Sequence, residues 1–299
     1  MPGKTESPMI YLVLSILSST LIVLIFKLFQ KFEIQTFQAI VFNYITCFIC
    51  GWIAMGKFPV SSETLQVTWL PYALVLGSIF ILTFNIIATT VHHFGITISS
   101  IMQRMSLVLT VPFAIIAYNE PLPFLKIIGL AAAFLAIVFA NMPNRREAMP
   151  KHLPHGWMWL FPSLILLFSG IIEIVLLYVE RSTAGEANLL FTTFIFGTAG
   201  LLGCLYVGFN LIIGKTKLAW RNLLAGICLG LPNFGSIYFV LKALNVGWGG
   251  SVVFPVNNVA VIGLAVLAAW LFFAEKLSKI NILGVVLAMI SIALIAIAR

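Results

Sequence analysis

Apolar residues run in long stretches along this chain, and polar residues gather in the short gaps between them. Ten stretches stand out: Met9–Phe29, Thr36–Met55, Leu70–Thr90, Thr97–Tyr118, Phe124–Ala140, Trp157–Val179, Ala187–Ile213, Ala219–Leu241, Gly250–Phe273 and Ile280–Ala298. At about 1.5 Å rise per residue, each is near the length that crosses a bilayer's roughly 30 Å hydrocarbon core. Only helices and closed barrels satisfy their backbone groups in lipid, and unbroken apolarity without period-two alternation selects helices. The expected fold is therefore all-α and integral to a membrane, with ten transmembrane helices. The polar interval Asn141–Gly156 holds three prolines with Arg145, Arg146 and Lys151 and divides the chain in two. The expected organisation is a five-helix repeat over 1–144, a linker over 145–156 and a second five-helix repeat over 157–299.

The halves share a pattern. Glu275, Leu277 and Gly284 repeat Glu120, Leu122 and Gly129 at one offset (275 − 120 = 155), and Gly250 falls on Gly95 at the same offset. A constant offset of about half the chain marks an internal repeat. Five crossings per half make the second copy enter from the opposite side, so the repeats are inverted. Inverted repeats are a transporter signature, with the site near the midplane between the halves.

The turn E-x-L-x6-G after the fourth helix of each half, the glycine entering that helix and the proline within it resemble the drug/metabolite transporter (DMT) superfamily, specifically its EamA-like ten-helix exporters. The resemblance covers the whole chain. Its first half carries Ser100 where the second carries Pro255, with its own proline later, at Pro112. The resemblance implies a secondary transporter, an exporter of small polar metabolites such as amino acids, working by alternating access between the halves. The implied location is the cell (plasma/inner) membrane, multi-pass. One alternative on the same fold is a nucleotide-sugar or sugar-phosphate antiporter, for which Arg104 and Lys242 supply a thin basic pocket. Another is a non-transporting membrane or lipid-handling subunit.

Composition agrees with the pattern: 61% of the 299 residues are hydrophobic, 9% are charged and the mean hydropathy is +1.10. That leaves too little polar surface for a soluble globule. The net charge of +8 would suggest nucleic acid in a soluble domain. Here Lys and Arg sit mostly in the gaps, where they act as topology and headgroup signals, so no nucleic-acid partner is expected. Their distribution favours both termini outside: with the amino terminus inside, the cytoplasmic face would hold the smaller share of the gap charges, Lys126 counted among them. Cys47, Cys50, Cys204 and Cys228 lie inside apolar runs without a second ligand pair and read as packing residues. There is no Asp, phosphate loop, nucleophile motif or zinc spacing. An enzyme, a cofactor and a bound metal are not expected; the expected partners are a small-molecule substrate and the lipid bilayer.

Charges inside the apolar runs are the strongest functional signal. A central Arg costs roughly 2.5–3.5 kcal/mol on insertion scales, so Arg104 needs a partner or a watered cavity. Glu173 carries the same argument with opposite sign: it is a counter-ion to Arg104, a proton-coupling carboxylate or a substrate contact. The positions of these two residues in their helices predict a depth difference of roughly 12 Å at about 1.5 Å per residue. Direct pairing would stretch both side chains. Ser251, Pro255 and Asn258 fall on one helical stripe, and Asn258 repeats Gln103 at the shared offset. Asn43, Asn85, Asn233 and Tyr238 complete the inward candidates. Glu120 and Glu275 open the loops before the fifth and tenth helices, where a carboxylate would cap those helices.

Overall fold

A computed structural model describes residues 8–142, 156–183, 188–215, 217–273 and 277–298. Among them are ten α-helices and no strand: α1 (Pro8–Lys31), α2 (Thr36–Met55), α3 (Leu70–Arg104), α4 (Leu107–Tyr118), α5 (Phe124–Ala140), α6 (Leu160–Thr183), α7 (Asn188–Ile212), α8 (Trp220–Asn245), α9 (Gly250–Phe273) and α10 (Lys279–Ile297). Nine segments among the described residues are long and apolar enough to cross a membrane, and Phe124–Ala140 is a shorter apolar helix. The chain is an all-helical, multi-pass membrane protein. Glu275 and residues 145–155 of the expected linker lie outside the described residues.

One boundary differs from the sequence expectation. The third and fourth apolar runs were separated at Thr90–Thr97, yet α3 continues as one 35-residue helix to Arg104 and the break falls at Met105–Ser106. Hydropathy still divides this stretch into Leu70–Val91 and Ile98–Tyr118. The polar interval between them contains no proline, so nothing removes a backbone donor and the helix continues through it.

The helices group into two compact units, and each takes elements from both halves of the sequence: Met1–Leu82 with Tyr178–Val246, and Thr83–Leu177 with Gly247–Arg299. In the first unit α2 packs on α7 and α8, and α1 packs on α8. Glycines allow the close approach. Gly203, Gly200 and Gly197 of α7 face Val41, Tyr44 and Phe48 of α2, so the two helices are antiparallel. Gly226 and Gly230 of α8 face Phe42 and Thr46. Small residues at such seams let helix backbones approach where lipid supplies no hydrophobic drive.

The second unit is built around α9, which packs on α4, α5 and α10. Every residue from Gly250 to Val259 is buried, so this helix has no lipid-facing side over its first half. Alongside it Leu107, Val111, Ala133, Ile137, Val259, Ile262 and Ala288 form one apolar cluster. The seam between α5 and α10 is again glycine-lined: Gly129 faces Leu294 and Ile295, and Gly284 faces Phe139 and Ala140. Ser291 donates to the Gly129 carbonyl at 2.8 Å. Ser278 and Asn281 form a capping box at the start of α10. The Asn281 amide then reaches across to the carbonyls of Phe139, Ala140 and Met142 at the end of α5.

Candidate functional site: a charged network on helix α9

The start of α9 is fastened by a carboxylate from another helix connection. Gly250 and Ser251 donate their backbone N–H groups to Glu120 at 2.8 and 2.9 Å, and the Ser251 hydroxyl donates to the same carboxylate. First-turn N–H groups have no intrahelical acceptor, and an anion there also meets the positive end of the helix dipole. Glu120 therefore caps, as its sequence position implied, but it caps α9 and not α5. A Cβ at Gly249 would strike this carboxylate, so any larger residue there would have to displace the cap. Lys126 completes the group. It is 2% exposed and donates to the Ser251 hydroxyl at 2.6 Å and to the Pro121 carbonyl at 3.0 Å. Its sequence assignment as a loop charge is corrected by this burial.

Two turns further along α9 lies Asn258, 4% exposed. Its side-chain oxygen accepts from Arg104 Nη1 at 2.9 Å, and its Nδ2 donates to Glu173 Oε1 at 2.9 Å. The other Glu173 oxygen accepts from the Thr110 hydroxyl at 2.6 Å. These partners fix the amide orientation, since the reverse would aim N–H groups at a guanidinium and an oxygen at a carboxylate. The wholly buried Ser106 hydroxyl bears on the same carboxylate but makes no hydrogen bond of ordinary geometry. Arg104 and Glu173 are thus joined through Asn258. Arg104 and Thr110 come from the first half of the sequence, Glu173 and Asn258 from the second.

The remaining candidates fall elsewhere. Ser251 belongs to the Glu120 cap, and Pro255 is buried between cap and amide on the same helix. Gln103 is exposed, so the proposed match to Asn258 does not extend to its surroundings, and Asn85 is exposed as well. Asn43, Asn233 and Tyr238 lie in the first unit. There Asn233 donates to Asn43 at 3.1 Å, and Tyr238 stacks on Phe234 with its face 5.8 Å from the Lys242 ammonium. This is an amide clasp between helices next to an aromatic run through Phe234, Phe196 and Tyr44. Lys126, Thr110 and Ser106 were not among the sequence candidates. Lys126 had a readable signal, a charge inside an apolar run; a lone Thr or Ser in such a run has none.

No family model matches the chain. It is 28% identical over 286 residues to an uncharacterized protein of Haemophilus influenzae, with 94% of this chain and 95% of that one covered. A solved crystal structure superposes with a TM-score of 0.75 at 13% identity, covering 96% of this chain and 95% of that one. The fold is shared. At this identity the likeness extends to the fold alone.

Proposed function

We propose that the protein is a ten-helix secondary transporter of the EamA-like kind in the DMT superfamily, built as two inverted five-helix repeats. In this reading it exports small polar metabolites such as amino acids across the cell (plasma/inner) membrane by alternating access. The observation that carries it is the Arg104–Asn258–Glu173 network. Charges within membrane-spanning segments are costly and are kept where substrates or ions pass, and these come from both sequence halves, as an inverted-repeat transporter requires. The α5–α10 seam supports the repeat. Gly129 and Gly284 are equivalent at the shared offset, as are Ala140 and Ile295, and each glycine faces the other copy's partner. Such reciprocity is what a two-fold relation between the copies produces. The sugar-phosphate alternative gains nothing from Lys126, because that ammonium is already bonded to Ser251 and Pro121.

Flux of a panel of small polar solutes in proteoliposomes, with and without a pH gradient, tests this. The expected result is uptake or release of at least one class that is lost in Arg104→Ala and Glu173→Ala. If no solute moves in a manner that depends on these residues, the transporter reading falls and the non-transporting subunit takes its place. A dependence on the pH gradient that disappears in Glu173→Gln would assign proton coupling to this carboxylate.

A further inference from the structure

An asparagine amide is a neutral copy of the two ends of a zwitterion: its oxygen accepts where a carboxylate would, and its NH2 donates where an ammonium would. Asn258 presents that copy to a guanidinium on one side and a carboxylate on the other, at 2.9 Å each. We propose that Asn258 is the resident occupant of the substrate position, displaced when an α-amino-acid zwitterion sets its carboxylate on Arg104 and its ammonium on Glu173. The proposal rests on the transport reading of this site and adds the substrate class and the role of the amide.

Three observations favour exchange over a fixed linker. Arg104 gives Asn258 one bond, from Nη1; a carboxylate can take two parallel N–H groups of the same fork, a stronger arrangement. On the other side an ammonium carries three donors. It would find Glu173 Oε1, which Asn258 vacates, and beside that carboxylate the buried Ser106 hydroxyl, which makes no hydrogen bond of ordinary geometry. Third, the α9 backbone is held independently by Glu120 at Gly250 and Ser251. Rotation of the Asn258 side chain would therefore leave the start of the helix fastened. Spacing narrows the class further. In an amide one carbon separates the oxygen from the nitrogen; in an α-amino acid two carbons separate a carboxylate oxygen from the ammonium nitrogen, the shortest spacing an amino acid offers. A β- or γ-amino acid separates them by additional methylenes.

A resident occupant competes with substrate. If the amide fills the position about nine-tenths of the time, the apparent Kd is about tenfold weaker than the intrinsic one. Removing the amide should therefore tighten binding, whereas loss of a structural linker should weaken it.

The test uses the full-length protein in lipid nanodiscs with the twenty proteinogenic amino acids as probes. Equilibrium binding is measured for wild type, Asn258→Ala and Asn258→Ser. The expected result is a gain in affinity of about threefold to tenfold in both variants. It should come with much weaker binding of the best probe's decarboxylated amine and deaminated acid. Unchanged or weaker binding by monodisperse variants, or equal binding of amine, acid and zwitterion, overturns the proposal. Should both variants fail to fold, wild-type protein with 15N-labelled Asn side chains serves instead. The Asn258 amide resonance moves on probe binding if it is displaced, and an unmoved resonance at saturation overturns the idea. Failure here separates from failure of the transport reading. Arg104- and Glu173-dependent flux of a non-zwitterion, without amino-acid binding, overturns only the present proposal. Zwitterion binding that shifts Asn258 with no flux overturns only transport.

Discussion

Helix α9 carries two polar groups seven residues apart, and they differ in what they hold. At its start Glu120 grips backbone N–H groups of Gly250 and Ser251. Backbone donors cannot leave without unwinding the turn, so this group is a fastening. At Asn258 every partner is a side chain: Arg104, Glu173 and, beyond it, Thr110. Side chains can exchange partners by rotation alone. The contrast shows how one buried helix can carry a rigid anchor and a replaceable network. On the transporter reading proposed above, it also separates the expected consequences of mutation, with losses of stability at the first group and losses of flux at the second.

The largest effect is expected from Arg104→Ala. Truncating one member of a hydrogen-bonded charge set costs about 2–5 kcal/mol, or roughly thirtyfold and upward in flux per folded molecule. Wild-type flux in this variant would remove the distinction between the two groups at its root. The charge swap Arg104→Glu with Glu173→Arg comes next. Because the amide between them is neutral and can invert, thermal stability should recover to near wild type while flux stays low. Recovery of flux as well would make the network a brace. Glu120→Ala should lower stability by about 1–2 kcal/mol, the usual range for a lost cap, with flux per folded molecule largely kept. A thermal midpoint equal to wild type would show that the carboxylate fastens nothing. Thr110→Val removes one hydrogen bond to Glu173, and about 1 kcal/mol, or roughly fivefold in flux, is expected. Lys126→Met should be the mildest, within about 1 kcal/mol, because the nearby Glu120 carboxylate keeps its backbone donors at Gly250 and Ser251 and is not left unpaired when the ammonium goes. A severe loss of stability there would move Lys126 from accessory to essential.

Much of the helical layout could be read from the sequence, because continuous apolarity in a membrane leaves the backbone little choice. The runs Thr36–Met55, Phe124–Ala140 and Gly250–Phe273 coincide with α2, α5 and α9. The third and fourth apolar runs divide where the two candidate spans do, but the helix break lies later, at Met105–Ser106, because helix continuity depends on backbone donors that hydropathy does not register. Within the site, Arg104, Glu173 and Asn258 could be found as polar groups in apolar surroundings. Their arrangement could not, because depth along a helix axis says nothing about a third side chain reaching between two others. Glu120 was correctly read as a cap but assigned to the neighbouring helix. Sequence adjacency suggested α5, while the free N–H groups that bind it are those of α9, 130 residues away.

The spacing of the network also sets an order of events during synthesis. Asn258 follows Glu173 by 85 residues and Arg104 by 154. At roughly 5–20 residues per second, Glu173 waits about 4–17 s and Arg104 about 8–30 s before the ribosome has made the amide that joins them. Two opposite charges thus enter the bilayer well ahead of their common partner, and α10, which closes the seam with α5, comes later still. The nascent chain must shelter those charges for that interval, with translocon, water or each other, so the second unit is completed only once α9 and α10 have been made.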